Sequence, residues 1–216
     1  MTAKVKICGI TTEAAARTAV DGGADFLGFI HFARSPRHLT LEGMAKLMAG
    51  IRSAEIDVPL VSVLVDPDDA LLSVVADQVR PDLIQLHGRE SPARVAEIVA
   101  KVNIPVVKAI GVAEAGDLDI AKGYEPHVPF LMFDARAPQN AAMPGGLGLS
   151  FDWSLMRGYR GDKPWFLAGG LTPDNVAEAL RMSGAQMVDV SSGVESAPGV
   201  KDLPLISRFL KAAKSL

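Results

Sequence analysis

One cysteine, Cys8, is all that the 216 residues contain. A disulfide framework within the chain is thereby excluded, as is a zinc site built on several cysteines. A reducing, cytoplasmic setting is the expectation. Basic charge is not in excess: 22 Lys and Arg stand against 25 Asp and Glu, a net charge of −3. Neither nucleic acid nor an anionic membrane surface is an expected partner. Long apolar runs are missing too. Stretches such as Val128–Phe133 fall far short of the roughly 18–20 residues that a spanning helix needs. Met1–Gly9 has no apolar run of signal-peptide length, so no leader is expected. Nor is there a dinucleotide fingerprint. The turn after the first apolar run reads Cys8-Gly9-Ile10-Thr11, not G-x-G-x-x-G.

What is present is an alternation. Hydrophobic residues make up 49% and charged residues 22%, the proportions of a globular chain. Short β-branched runs are followed by longer Ala-rich runs of helical period. The predicted strands are Lys4–Cys8, Asp25–Phe32, Val58–Val65, Asp82–Leu86, Ile104–Ile110, Pro129–Phe133, Trp165–Ala168 and Met187–Val190. The predicted helices are Thr12–Asp21, Leu41–Arg52, Pro67–Gln78, Pro92–Val102, a weak one near Ala113–Ala121, a short one near Asp152–Arg157, Pro173–Ser183 and Leu203–Lys214. Thr11 or Thr12, Thr40 and Thr172 stand where N-caps belong, and Pro173 and Asp174 suit the first turn of the seventh helix.

The strands are near-continuous apolar runs, as parallel sheets buried on both faces require. Eight strand–helix units joined by right-handed crossovers predict an α/β fold, a closed (β/α)8 barrel. An open doubly wound sheet is the rival, and it usually needs fewer strands. No linker or low-complexity segment interrupts the chain, so one barrel domain over residues 1–216 is expected.

Such barrels place their chemistry at the C-terminal ends of the strands. Cys8, His31 to Arg37, Asp66, Gln85 to Gly88, Lys108, Asp134, Gly169-Gly170 and Asp189 to Gly193 lie there. A lone cysteine is most often a small core residue; at a strand's catalytic end it is a candidate base or nucleophile, given a depressed pKa. Asp134 follows five apolar residues, so it must find a partner or keep its proton. It reads as a loop-fixing aspartate or as a general acid. Cys8 and Asp134 can face each other across the mouth as an acid/base pair.

Arg34 and Arg37 can clamp a carboxylate or phosphate, with Arg37 better oriented by Pro36. Gly169-Gly170 and Ser191-Ser192-Gly193 follow the seventh and eighth strands, the frequent phosphate site of such barrels. Pro144 to Gly148 (PGGLG) lies in the long connection from Ala135 to Phe151, a candidate lid with Gly145, Gly146 and Gly148. His87 is read as a rim residue beside Gln85. Lys108 either pairs with a carboxylate or forms a Schiff base.

In order along the chain stand KICGIT (Lys6–Thr11), GADFLGFI (Gly23–Ile30), SPR (Ser35–Arg37), QLHG (Gln85–Gly88), FDA (Phe133–Ala135) and PGGLG with FDW (Pro144–Trp153). LAGGLTPDNV (Leu167–Val176) and VDVSSGVE (Val188–Glu195) follow, then Pro198-Gly199 and Lys201-Asp202. With these segments the chain resembles the phosphoribosylanthranilate isomerases of tryptophan biosynthesis. The resemblance implies an Amadori rearrangement of a phosphorylated ribosyl anthranilate, with no cofactor and no metal. It implies Cys8 as general base and Asp134 as general acid. Arg37 would hold the anthranilate carboxylate, and Gly169, Gly170, Ser192 and Gly193 the phosphate. Gln85, His87, Asp189 and Ser191 complete the expected substrate-binding set. Leu147 and Leu149 depart from the family's commonly polar lid positions.

Other readings remain. A metal-dependent epimerase would need several His and Asp ligands at strand ends, where His87 is the clear histidine. A Schiff-base lyase would rest on Lys108. A barrel that binds a phosphorylated ligand without turnover is the third. Nothing in the sequence marks an interface, and a monomer is expected.

Overall fold

The structure, a computed structural model, describes residues 2–54, 56–138, 141 and 143–215. Of the expected lid connection, Gln139, Asn140 and Ala142 lie outside the described residues. Eight parallel strands are β1 (Lys4–Cys8), β2 (Phe26–His31), β3 (Leu60–Leu64), β4 (Leu83–Leu86), β5 (Val106–Val112), β6 (Phe130–Ala135), β7 (Trp165–Leu167) and β8 (Met187–Val190). Each pairs with the next. β8 returns to β1 through Lys4↔Met187 to Ile7↔Val190, which closes the barrel. No residue of β3 or β4 is exposed. Burial on both faces is the reason these strands read as continuous apolar runs.

Outside run α1 (Glu13–Asp21), α2 (Leu41–Ser53), α3 (Asp69–Val74), α4 (Pro92–Val102), α5 (Ala121–Tyr124), α6 (Val176–Ser183) and α7 (Leu203–Ala213). Thr12 Oγ1 accepts from the Ala15 N–H and Thr40 Oγ1 from the Gly43 N–H, satisfying donors that have no partner inside the helix. The predicted fifth helix begins as a 3-10 turn, Ala115–Ile120, and the sixth is a 3-10 turn throughout, Trp153–Gly158.

The seventh helix starts later than predicted. Asn175, not Thr172, is its N-cap residue. Asn175 turns its side chain back, accepting from the Thr172 N–H and donating to the Gly170 carbonyl. That bracing holds Thr172, Pro173 and Asp174 in a turn and fixes the two-glycine connection before them. After β8 the chain forms a hairpin the sequence reading lacked, β9 (Glu195–Ala197) and β10 (Val200–Lys201).

The barrel interior is layered. Its lower part is apolar: Phe26, Leu83, Val107, Met132, Phe166 and Met187 pack there, Phe26 edge-on to Phe166 with ring centres 5.3 Å apart. Above that plug the interior is polar, with Lys6, Gln85 and Asp189 buried. The chemistry therefore sits at one end of the barrel, on strands whose outer faces are locked into the helix shell.

Candidate active site

Alternation along β1 points Lys6 and Cys8 to the same inward face, and Val5 and Ile7 to the helices. Lys6 is fully buried and its ammonium donates to Asp189 Oδ1 at 2.7 Å. A Cβ on Gly28 of β2 would lie 2.8 Å from Cys8 Sγ and 2.9 Å from Lys6 Nζ. Glycine at that position thus leaves the space in which thiol and ammonium stand together. Burial pushes the Cys8 thiol up; the nearby Lys6 cation opposes this, Asp189 adds to it and Lys201 opposes it. The depressed thiol that the sequence reading required is not found, because desolvation outweighs the cations. Burial works against the Lys6 ammonium as well, but Asp189 and Cys8 together outweigh it and hold Lys6 above the ordinary lysine range.

Across the mouth, Asp134 is buried near the end of β6. Its Oδ1 accepts from the Ala135 N–H at 2.8 Å, and Oδ2 lies 3.2 Å from His87 Nε2. His87 Nδ1 is 2.8 Å from Gln85 Nε2. With the amide as donor, the imidazole proton sits on Nε2 and points at Asp134. Gln85 Oε1 is buried without a partner among the described residues. His87 is thus more than the rim residue expected: it braces the candidate acid.

Arg37 is 3% exposed. Its backbone N–H donates to Ser35 Oγ, and its stem crosses Gly9. A Cβ on Gly9 would come within 2.6 Å of Arg37 Cδ, and Gly9 has φ +76, so two constraints demand glycine there. Nε and NH2 of Arg37 donate to the two oxygens of Glu195, each at 2.7 Å. Lys201 Nζ donates to Glu195 Oε1 at 2.7 Å and to the Ser191 carbonyl at 2.9 Å. Burial works against the Glu195 carboxylate, yet Arg37 and Lys201 hold it below the usual range. Two basic side chains share one anion in a closed space, burial pulling the Lys201 ammonium below its ordinary range, while Arg37 NH1 is turned to the Gly146 carbonyl at 3.5 Å. Arg34, the other expected clamp, is exposed.

The third feature is the Gly-rich segment 144–149, which crosses the mouth. It lines one recess with Gly169, Gly170, Ser192 and Gly193, and a second with Cys8, Arg37, Gln85, His87 and Asp134. Gly169 and Gly170 have φ +89 and +64, a left-handed turn that favours glycine at both positions. A Cβ on Gly145 would lie 2.6 Å from His87 Nε2 and 2.7 Å from Asp134 Oδ2. Gly145→Ala is expected to wedge that pair apart or lift the segment. Because misplacement by about 1 Å costs on the order of a hundredfold, kcat should fall at least about tenfold with little change in Tm. Unchanged kcat would show that the loop does not rest there in the working enzyme.

Three expected contacts stand differently. Asp189 gives Oδ1 to Lys6 and the Ser191 carbonyl accepts from Lys201, so both are held in place by the protein while still lining the two recesses. Lys108 donates to Glu90 Oε2 at 2.7 Å and to the Gly88 carbonyl at 2.9 Å. It does not line either recess under the loop, which removes the support for a Schiff base. Among the described residues no three His, Cys, Asp or Glu side chains gather as metal ligands, and no helix is long and apolar enough to cross a membrane. Lys6, Glu195 and Lys201 were missed. The period-two pattern of KVKIC held the signal for Lys6: it shares a face with Cys8.

The profile of the family described as N-(5'phosphoribosyl)anthranilate (PRA) isomerase matches residues 5–212. The chain is 51% identical over 214 residues to the N-(5'-phosphoribosyl)anthranilate isomerase of Paramagnetospirillum magneticum, covering 99% of this chain and 98% of that protein. It superposes on the crystal structure of phosphoribosyl anthranilate isomerase from Thermotoga maritima with a TM-score of 0.83, at 36% identity, covering 99% of this chain and 100% of that one. A further crystal structure is similar with a TM-score of 0.80 and 34% identity, over 99% of this chain and 100% of the other. That structure holds a phosphoribosyl anthranilate isomerase in complex with reduced 1-(o-carboxyphenylamino)-1-deoxyribulose 5-phosphate.

Proposed function

The chain belongs to the N-(5'-phosphoribosyl)anthranilate isomerase family, and we propose that it performs the family's step of tryptophan biosynthesis with Cys8 as general base and Asp134 as general acid. In class terms it is an aldose–ketose isomerase, an intramolecular oxidoreductase. The observation that carries this reading is one recess lined by Cys8, Asp134 with its His87 brace, and Arg37. Ile30, Phe32, Val63 and Val65 wall the same recess, an apolar lining suited to an aromatic ring beside a carboxylate that Arg37 NH1 can meet.

Asp134 delivers a proton to the ribose ring oxygen, and the ring C–O bond breaks as the anilino nitrogen forms the iminium. Cys8, as thiolate, takes the proton from C2', giving the enolamine. The enol O–H proton then leaves and C1' gains one, giving the ketone, so the product is an isomer of the substrate. Every step moves a proton between positioned groups, which general acid/base catalysis supplies. The Gly169-Gly170 and Ser192-Gly193 turns hold the phosphate, whose binding fixes the distant reacting carbons.

The recesses beneath segment 144–149 have volumes of about 40 and 60 Å3, room for a few waters, and they adjoin an open cavity of about 980 Å3 that His87, Asp134 and Pro144 also line. In this reading substrate enters by that cavity, and the segment is a lid that lifts from the two recesses and closes to exclude water. Leu147 and Leu149 are both partly exposed to solvent yet line the recess beside Gly169 and Gly170, and the Leu149 backbone passes close to Gly170. All these groups come from one chain, so the monomer is the working unit in this reading, in a cytoplasmic setting.

The test is loss of phosphoribosylanthranilate fluorescence on adding purified protein. Turnover is expected, and Arg37→Met should raise KM by about 10- to 100-fold, the worth of one charge-assisted hydrogen bond, while moving kcat less. A folded protein that binds phosphate-bearing ligand and turns over no substrate would overturn the reading.

A further inference from the structure

We propose that the buried Lys6–Asp189 ion pair sets the ionisation of Cys8, Lys6 holding the thiolate and Asp189 restraining that hold. The inference rests on the reading of Cys8 as the base. Space could be filled at this depth by apolar side chains, as it is one layer below, and an ion pair so deeply buried is costly to desolvate. Its placement is the argument. The Lys6 side chain is 1% exposed, and its ammonium has three N–H donors. Among the described residues its one side-chain hydrogen bond goes to Asp189 Oδ1. Its nitrogen and Cys8 Sγ flank the same point over Gly28, so the remaining N–H groups are within reach of the thiol.

The other charges around Cys8 are less free to respond. Lys201 and Arg37 are both drawn to Glu195. Asp134 and His87 are paired with each other. β2 brings Gly28 and Ile30 to this side and no charge. Lys6 is therefore the cation placed to compensate a forming thiolate, and Asp189 is the anion that shares it. A base tuned in this way can take a carbon-bound proton without lying permanently ionised.

Cys8 is the chain's one thiol, so thiolate absorbance in the ultraviolet, with Cys8→Ser as the blank for tyrosine, reports this site alone. Lys6→Met is expected to move the titration midpoint up by about one pH unit or more, and Asp189→Asn to move it down by a comparable amount. The double variant Lys6→Met/Asp189→Asn should return near the wild-type midpoint. A purely structural pair would lower Tm in both single variants and leave the midpoint in place. That result, or two shifts of the same sign, overturns the proposal. If Lys6→Met does not fold, Asp189→Asn and the double variant still fix the sign. If the midpoints move as expected while the pH profile of kcat/KM does not follow them, the assignment of Cys8 as base fails and the charge control stands.

Discussion

Cys8→Ser is expected to lower kcat by about a thousandfold or more, within the range that a positioned general base contributes, while KM changes little. The hydroxyl is nearly isosteric, so the barrel mouth keeps its shape, but it does not ionise near neutral pH. The wild-type profile should carry the same signature. Burial pushes the Cys8 thiol above its ordinary value, so the base form of the free enzyme grows as pH rises. The sign follows directly: kcat/KM should climb through the alkaline range and not be already level near neutrality. In the serine variant that ascending limb should vanish along with the activity. Steady-state rates over about pH 6–10 check both statements. A serine variant within about tenfold of wild type, or a wild-type profile flat from neutrality upward, would remove Cys8 from the role of base.

The barrel was legible because its physics is repetitive. Eight runs buried on both faces must be apolar along most of their length, and the connections between them must be long enough for a crossover. Both demands are local and show in the residues. Where the reading slipped, a tertiary contact was the cause. Thr172-Pro173-Asp174 has every local mark of a helix start, yet Asn175 spends its side chain on Thr172 and Gly170 and moves the start to Val176. The β9–β10 hairpin was not seen, since its strands are only three and two residues long.

The site shows the same division. Cys8, Arg37 and Asp134 could be placed because the pattern alone locates the strand ends to within about two residues; β6 runs on to Ala135, so Asp134 lies inside the strand and not after it. Their partners could not. Lys6 and Asp189 are 183 positions apart in sequence, and Arg37 and Glu195 158 apart. Only closure of the barrel from β8 to β1 brings such residues together. Strand alternation puts Lys6 on the face of Cys8, but it takes the closed sheet to show that the ammonium meets Asp189 there.

Asp134→Asn should be the second large loss, about 100- to 10,000-fold in kcat, with binding of a product analogue kept. The geometry says why the fold should tolerate it. The asparagine oxygen can accept from the Ala135 N–H as Oδ1 now does. Its amide would then donate to His87 Nε2, which drives the imidazole proton to Nδ1. Nδ1–H needs an acceptor, and Gln85 holds one in reserve: Oε1 is buried with no partner among the described residues. A flip of that amide would pair Gln85, His87 and position 134 in the new tautomer while leaving Nε2 where Oε1 is now unpartnered, so the number of unpaired buried groups stays the same and stability should change by no more than about 1 kcal/mol. What the variant lacks is a carboxyl proton to give to the ribose ring oxygen. Ring opening would stop while the anthranilate carboxylate and phosphate are still held. Thermal unfolding, analogue binding and single-turnover rates separate these quantities. An asparagine variant that binds the analogue and turns over within about tenfold of wild type would show that another group supplies the proton, and His87, 3.2 Å away, would be the residue to change next.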